Sequence, residues 1–247
     1  ESINFCKKGN FSAHIHLQEI REEVTAVRNE EGLTPIQYCS NKGLFDNPTV
    51  AAHCVWIDTE DTKILSENSV GVAHNPISNM ILASGICPVP ELRSLGINVG
   101  IGIDGAGSND SQDMLQSIKI TPLLQRVKKM QATALSARDA FMMATIEGAK
   151  VLGVESFLGS IELRKRADFV ILDGDSPALA NIHDPFQAIV YCAGKTEVKE
   201  VWVEGENIFK DGVITNVSKD EVVKNSKFQA VKLVKAAGLS KLSNLIN

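Results

Sequence analysis

The chain has 247 residues, 44% hydrophobic and 22% charged, enough to bury one large core or two smaller ones. Its 25 lysines and arginines against 30 aspartates and glutamates form no long basic block. That balance argues against capture of nucleic acid or an anionic membrane and favours a small-molecule substrate. Cys6, Cys39, Cys54, Cys87 and Cys192 make no Cys-x-x-Cys pair, and neither a signal-peptide pattern nor an apolar run of about 18 residues is legible. A reducing, cytoplasmic setting is therefore expected.

In chain order, short strand-like runs alternate with helix-like stretches. Phe11 to His16 precedes a charged amphipathic segment from Glu19 to Glu31, and Val50 to Cys54 precedes Asp58 to Glu67. Val70 to His74 precedes a helix near Val89 to Leu95, and Ile97 to Ile103 precedes helices from Ser111 to Met130 and Ser136 to Leu152. Ser136 is placed to cap the last of these, with Gly153 near its end. Strand alternating with helix predicts an α/β fold with a parallel sheet. The strands are apolar until their last residues, as expected for strands buried on both faces, and their polar residues fall at the C-terminal ends. In a TIM-type (β/α)8 barrel that rim is the catalytic face. Four such units are visible, one half of a barrel, which leaves strand edges to cover.

Beyond the barrel portion, Gly159 to Leu163, Ala167 to Asp173, Val198 to Gly205 and Asn207 to Gly212 alternate like antiparallel strands with turn glycines. The expected organisation is a partial barrel over 1–158, a small β domain contributing to a sandwich over 159–216, and a helical tail over 217–247.

The residues able to carry chemistry sit at the strand ends. His14 and His16 share one strand face, because side chains alternate with period two. Either could ligate a metal. Glu19 lies three residues after His16, where a loop carboxylate can reach a bound water or a substrate. His53 ends the run Val50-Ala-Ala-His53. Asp104 closes Val99-Gly-Ile-Gly-Ile-Asp104, and a carboxylate there is costly unless paired or bound to a cation, which makes it the foremost metal-ligand candidate. Ser108, Asn109 and Asp110 could orient Asp104 or cap the following helix, and capping is the favoured reading. His74, Asn75, Ser78 and Asn79 form a further polar cluster with substrate contact as its candidate role. His183 has no comparable partner and is read as structural. The stretch Gly100 to Gly107 lacks the spacing of a dinucleotide fingerprint.

Ile15-His-Leu-Gln-Glu19, Ala51-Ala-His53-Cys-Val, Val72-Ala-His-Asn-Pro-Ile-Ser-Asn79, Leu82-Ala-Ser-Gly-Ile-Cys-Pro-Val89 and Gly102-Ile-Asp104-Gly-Ala-Gly-Ser-Asn-Asp110 together resemble the amidohydrolase superfamily. The resemblance runs from about Phe11 through Gly212. It is nearest the branch of methylthioadenosine/S-adenosylhomocysteine deaminases, guanine and 8-oxoguanine deaminases, and triazine hydrolases. It implies strands five to eight of the barrel and one divalent metal, zinc or sometimes iron. The implied ligands are two histidines of a strand-one His-x-His motif, one on strand five matched by His16, and the strand-eight aspartate matched by Asp104. Glu19 matches the acid/base that moves a proton to a ring nitrogen, and His53 matches the strand-six histidine that orients water or polarises the reacting carbon. The metal lowers the pKa of its water toward neutrality, Asp104 can accept that proton, and Glu19 can deliver one to the heterocycle.

The strand-one His-x-His pair is not in these residues, and His14 cannot stand in for it from strand five. The resemblance thus implies a first half or complementary chain supplying two ligands, little activity for these residues alone, and a homodimer. The expected function is hydrolytic deamination of a purine or related N-heterocycle, adenosine-type nucleosides first. Guanine or 8-oxoguanine deamination and triazine dechlorination are the enzyme alternatives. A degenerate fragment serving as a binding or assembly module is the non-enzyme alternative.

Overall fold

A computed structural model describes residues 2–9 and 11–239. After a first helix α1 (Ser2–Gly9), the alternation runs β1 (Ala13–Leu17), α2 (Arg21–Glu31), α3 (Pro35–Asn41), β2 (Thr49–His53), α4 (Thr59–Glu67), β3 (Gly71–His74), α5 (Pro76–Ile81), α6 (Val89–Ser94) and β4 (Val99–Ile101). The strands form a parallel sheet in the order β1-β2-β3-β4, with Leu17 beside His53, Ala52 beside Ala73 and His74 beside Ile101. Every residue of β2 is buried, and Leu17, Ala51, Val72 and Val99 join Ile36, Leu65, Leu92 and Met143 in the main core. Burial from both faces explains the unbroken apolar runs.

Local signals set most of the boundaries. Thr34 with Gln37, Asp58 with Asp61, and Ser136 with Asp139 form reciprocal capping boxes at the starts of α3, α4 and α8 (Ala137–Met143). Before α8 lies α7 (Met114–Lys129), capped by Asp113 rather than by Ser108, Asn109 or Asp110. The single helix expected from Ser136 to Leu152 is two, α8 and α9 (Ile146–Leu152). The break falls at Thr145, whose hydroxyl donates to the Phe141 carbonyl at 2.8 Å, competing with the backbone ladder. Gly153 ends α9 in the left-handed conformation, φ 69°. The turn-forming His74-Asn-Pro stretch instead opens α5, because proline at a first helical position needs no donor.

The described chain divides into two compact units, residues up to 166 with 173–197, and 167–172 with 198 onward. The first includes α10 (Pro185–Gln187) and a π-helical turn, Ala188–Cys192. The second holds an antiparallel sheet of β5 (Phe169–Leu172), β6 (Val198–Val203), β7 (Glu206–Lys210) and β8 (Val213–Ile214), then α11 (Lys219–Ala236), in which no residue is buried. Glu204-Gly205 and Asp211-Gly212, all at positive φ, are two-residue hairpin turns. The strand expected over Gly159 to Leu163 is a loop: Ile161 and Leu163 are 86% and 97% exposed, and Ser160 bonds instead to Glu162 and Lys165. Among the described residues no helix is long and apolar enough to cross a membrane.

A candidate metal and acid–base centre

The C-terminal ends of β1, β2 and β4 deliver His16, His53 and Asp104 to one place, and the loop after β1 adds Glu19. His16 Nε2 lies 4.0 Å from Asp104 Oδ1, and His53 Nε2 lies 3.6 Å from Glu19 Oε2 and 4.0 Å from Asp104 Oδ2. The His16 and His53 rings meet edge to face at 4.8 Å. Donor atoms of His16, Glu19 and His53 all fall within 4.8 Å of one another. Zn–N and Zn–O bonds of about 2.0–2.1 Å in a tetrahedron put ligand atoms about 3.3 Å apart. The His16–Asp104 pair at 4.0 Å is therefore about 0.7 Å wider than chelating spacing. His14, two residues earlier on β1, is outside this cluster, and His183 is exposed on a different segment.

Strained backbone marks the same rim. Gln18, His53, Cys54 and Asp104 have φ of 53°, 72°, 48° and 61°. Each such non-glycine residue costs on the order of 1–3 kcal/mol and persists only where its surroundings over-determine it. For Gln18 the surroundings are visible. Its fully buried amide donates to the Trp56 carbonyl at 2.6 Å and to Asp61 Oδ2 at 2.9 Å, and accepts from the Ile36 N–H at 3.0 Å. Burial holds the Asp61 carboxyl above the usual carboxylate range, despite hydrogen bonds from Thr34 and Gln18 that act the other way. Glu23 on α2 accepts from the N–H groups of Gln18 and Glu19 at 3.0 and 3.1 Å. Glu19 is thus fixed at its backbone.

Burial would raise Asp104, yet hydroxyls from Ser78 at 2.6 Å and Ser108 at 2.7 Å, with the Gly105 amide and nearby His53, hold it down at about 2. Both hydroxyls go to Oδ2, and Oδ1 is the oxygen that lies nearer His16. His53 is fully buried. Its Nδ1 lies 2.8 Å from Asn79 Oδ1, an atom that can only accept, so Nδ1 donates there and Nε2 is the nitrogen turned toward the centre. The Asn75 amide approaches that Nε2 at 3.5 Å. Asn75 fits because residue 102 is glycine, where an added Cβ would sit 2.2 Å from Asn75 Oδ1.

The four residues expected to touch substrate are all buried, and three of them turn inward. Asn75 and Asn79 hold His53, and Ser78 holds Asp104. Ser108 and Asn109, expected as helix caps, instead bond Asp104 and the Ile103 carbonyl. His74 is fully buried with neither ring nitrogen hydrogen-bonded, and burial, with the nearby His53 and Lys128 charges, pushes it down to about 3. The sign of its linkage follows. The unfolded chain binds a proton near pH 6.5 that folded His74 refuses until about pH 3, so stability is lost as pH falls through that window. Urea unfolding at pH 7, 5 and 4 is expected to show His74→Leu with an acid slope shallower than wild type by up to about 1.4 kcal/mol per pH unit. Equal slopes would mean that His74 does not contribute.

Sequence reasoning missed Gln18, Glu23, Trp56 and Ser84. Ser84 Oγ donates to Glu19 Oε1 at 2.9 Å, and the Trp56 indole donates to the Ser84 carbonyl at 2.8 Å. Ser84 lay within a family-like motif without a role, and Glu23 within a charged helix that reads as a solvated face.

Among curated proteins, the chain is 44% identical over 212 residues to a 5'-deoxyadenosine deaminase of Methanopyrus kandleri, covering 86% of this chain and 49% of that protein. It is 40% identical over 223 residues to a 5-methylthioadenosine/S-adenosylhomocysteine deaminase of Desulforudis audaxviator, covering 90% and 52%. Among solved structures, an adenosine deaminase of Xanthomonas campestris with bound zinc superposes with a TM-score of 0.90 at 28% identity, over 94% of this chain and 53% of that one. The chain spans about half the length of the relatives it matches. A model of the amidohydrolase family matches residues 1–208, and the chain belongs to that family.

Proposed function

We propose that this chain carries the acid–base side of a metal-dependent hydrolytic deaminase for adenosine-type nucleosides. The observation that carries the reading is the convergence of Glu19, His53 and Asp104 within 4.0 Å contacts at the strand ends, beside His16. The deaminase names of relatives at 40–44% identity support the substrate class. His16 Nε2 and Asp104 Oδ1 would hold one divalent cation, zinc first and iron second, and the nitrogen-and-carboxylate donor set suits either. Bound there, the cation would lower the pKa of water toward neutrality.

The chain's own residues account for the proton movements. Glu19 donates a proton to the ring nitrogen as water adds to the carbon bearing the amino group. His53, its Nδ1 proton held by Asn79, presents Nε2 to orient that water. Asp104, ionised, accepts the proton that the water gives up as it adds. Collapse of the tetrahedral carbon breaks the C–N bond; Asp104 passes its proton to the departing amine, which leaves as ammonia, and the remaining hydroxyl proton returns Glu19 to its acid form. In this reading Asn75, Ser78 and Asn79 act through His53 and Asp104, and the groups that read the sugar lie elsewhere.

The same proposal assigns β1–β4 to the second half of a closed barrel. Support comes from the free outer edges of β1 and β4 among the described residues, and from a donor set two short of the usual four. A further set of strands, from the same polypeptide or a partner, would close the barrel and add ligands. Association of two copies is also proposed, supported by Met80, Ile81 and Leu82, each more than half exposed. A reducing, cytoplasmic setting is supported by five free cysteines.

The test, in protein that includes the barrel-closing strands, is ammonia release from 5'-deoxyadenosine, 5'-methylthioadenosine, S-adenosylhomocysteine, adenosine and guanine, with chloride release from a chlorotriazine alongside. Turnover of the nucleosides at least about tenfold faster than of the others is expected. A preference for guanine or the triazine would overturn the substrate assignment.

A further inference from the structure

Resting on the deaminase reading, we propose that Ser84 is a positioning residue that decides which oxygen of Glu19 faces the reacting atoms. A glutamate on a loop has three side-chain torsions and two equivalent oxygens, so backbone anchoring by Glu23 does not aim its carboxylate. Ser84 does. Its hydroxyl donates to Oε1 at 2.9 Å, and Oε2 is left toward His53 Nε2 at 3.6 Å. Ser84 is 3% exposed, so bulk water does not compete for that bond.

Ser84 is itself held from both sides. Its N–H donates to the Asn79 carbonyl at 2.9 Å, and its carbonyl accepts from the Trp56 indole at 2.8 Å. Asn79 also accepts from His53 Nδ1 at 2.8 Å. The Trp56 N–H donates to the Gln18 carbonyl at 3.0 Å, and the Trp56 carbonyl accepts from the Gln18 amide at 2.6 Å. Gln18 precedes Glu19 directly. One closed circuit therefore joins Glu19, Ser84, Trp56 and Gln18, and Asn79 links Ser84 of that circuit to His53. Gly85, at φ 123°, lets the loop pass, since an added Cβ would sit 2.7 Å from Val55 Cγ1.

The consequence is a division of labour within one carboxylate. Oε1 stays hydrogen-bonded throughout, and Oε2 carries the proton. As the Oε2–H bond breaks, its electron pair remains on the carboxylate and the N–H bond forms on the heterocycle. The proton gained by Oε2 in the next cycle comes from the added water.

The experiment compares Ser84→Ala and Ser84→Thr with wild type in the complete zinc-loaded enzyme, with the strands that close the barrel present. Ser84→Ala is expected to lower kcat by about 10- to 100-fold, the scale of an ångström-level misplacement, with KM and zinc content within about twofold of wild type. The solvent deuterium isotope effect on kcat should rise, and Ser84→Thr should restore both. In a Glu19→Gln background, Ser84→Ala should cause no further loss. Crystal structures of wild type and Ser84→Ala supply a readout independent of turnover: Glu19 Oε2 should leave His53 only in the alanine variant. An unmoved carboxylate, unchanged kcat, or equal losses in both Glu19 backgrounds would overturn the proposal. Zinc-loaded wild type that deaminates nothing would refute the deaminase reading, and the crystal comparison would then decide whether Ser84 aims Glu19.

Discussion

Glu19→Gln in the complete enzyme is expected to lower kcat by about 10²- to 10⁴-fold while leaving metal content and folding as in wild type. The substitution preserves shape, the Ser84 hydrogen bond can still be accepted, and the backbone anchoring by Glu23 does not involve the side chain replaced. Only the ability to give and take a proton at Oε2 is lost. Because the donor atoms of Glu19, His16 and His53 lie within 4.8 Å of one another, the geometry also permits Glu19 to be a metal ligand. The variant separates these roles. Retained zinc with lost turnover assigns Glu19 to proton transfer, whereas loss of both assigns it to the metal, and wild-type turnover removes it from either role.

Asp104→Ala is expected to lose metal and turnover together. Asp104 is held near a pKa of about 2, so it is a full anion at neutral pH, with Oδ1 directed toward His16 Nε2 at 4.0 Å. Loss of a group merely hydrogen-bonded to a metal ligand typically costs 10- to 100-fold in metal affinity, and loss of a ligand itself should exceed that. Two serine hydroxyls and the Gly105 amide would also lose their acceptor. Elemental analysis and ammonia release on the same sample check this, and a variant that keeps one equivalent of zinc would remove Asp104 from the ligand set. Ser78→Ala, which deletes one hydroxyl from Oδ2, should fall between wild type and Asp104→Ala.

The parallel sheet and the polar ends of its strands were legible because they rest on burial. Strands covered on both faces leave unbroken apolar runs, so His16, His53 and Asp104 at their ends stand out as polar residues that need a reason. What was not legible depends on contacts far apart in sequence. Asn75, Ser78 and Asn79 read as available for substrate because their types suit it, but only the fold shows their polar atoms engaged on His53 and Asp104. Gln18 and Ser84 are ordinary residues in sequence, and their importance appears when Asp61, Trp56 and Asn79 come within hydrogen-bonding distance of them. The strand expected at Gly159 to Leu163 failed for the complementary reason. Alternation is a local pattern, and a strand exists only where another strand pairs with it.

The measurement that bears most directly on the central claim follows zinc content and nucleoside deamination together, on one purified sample of the complete enzyme titrated with a chelator. The two are predicted to fall in parallel, reach zero together and return together when zinc is restored. Deamination that continues at its full rate in metal-free protein would contradict the metal-dependent site built around His16 and Asp104.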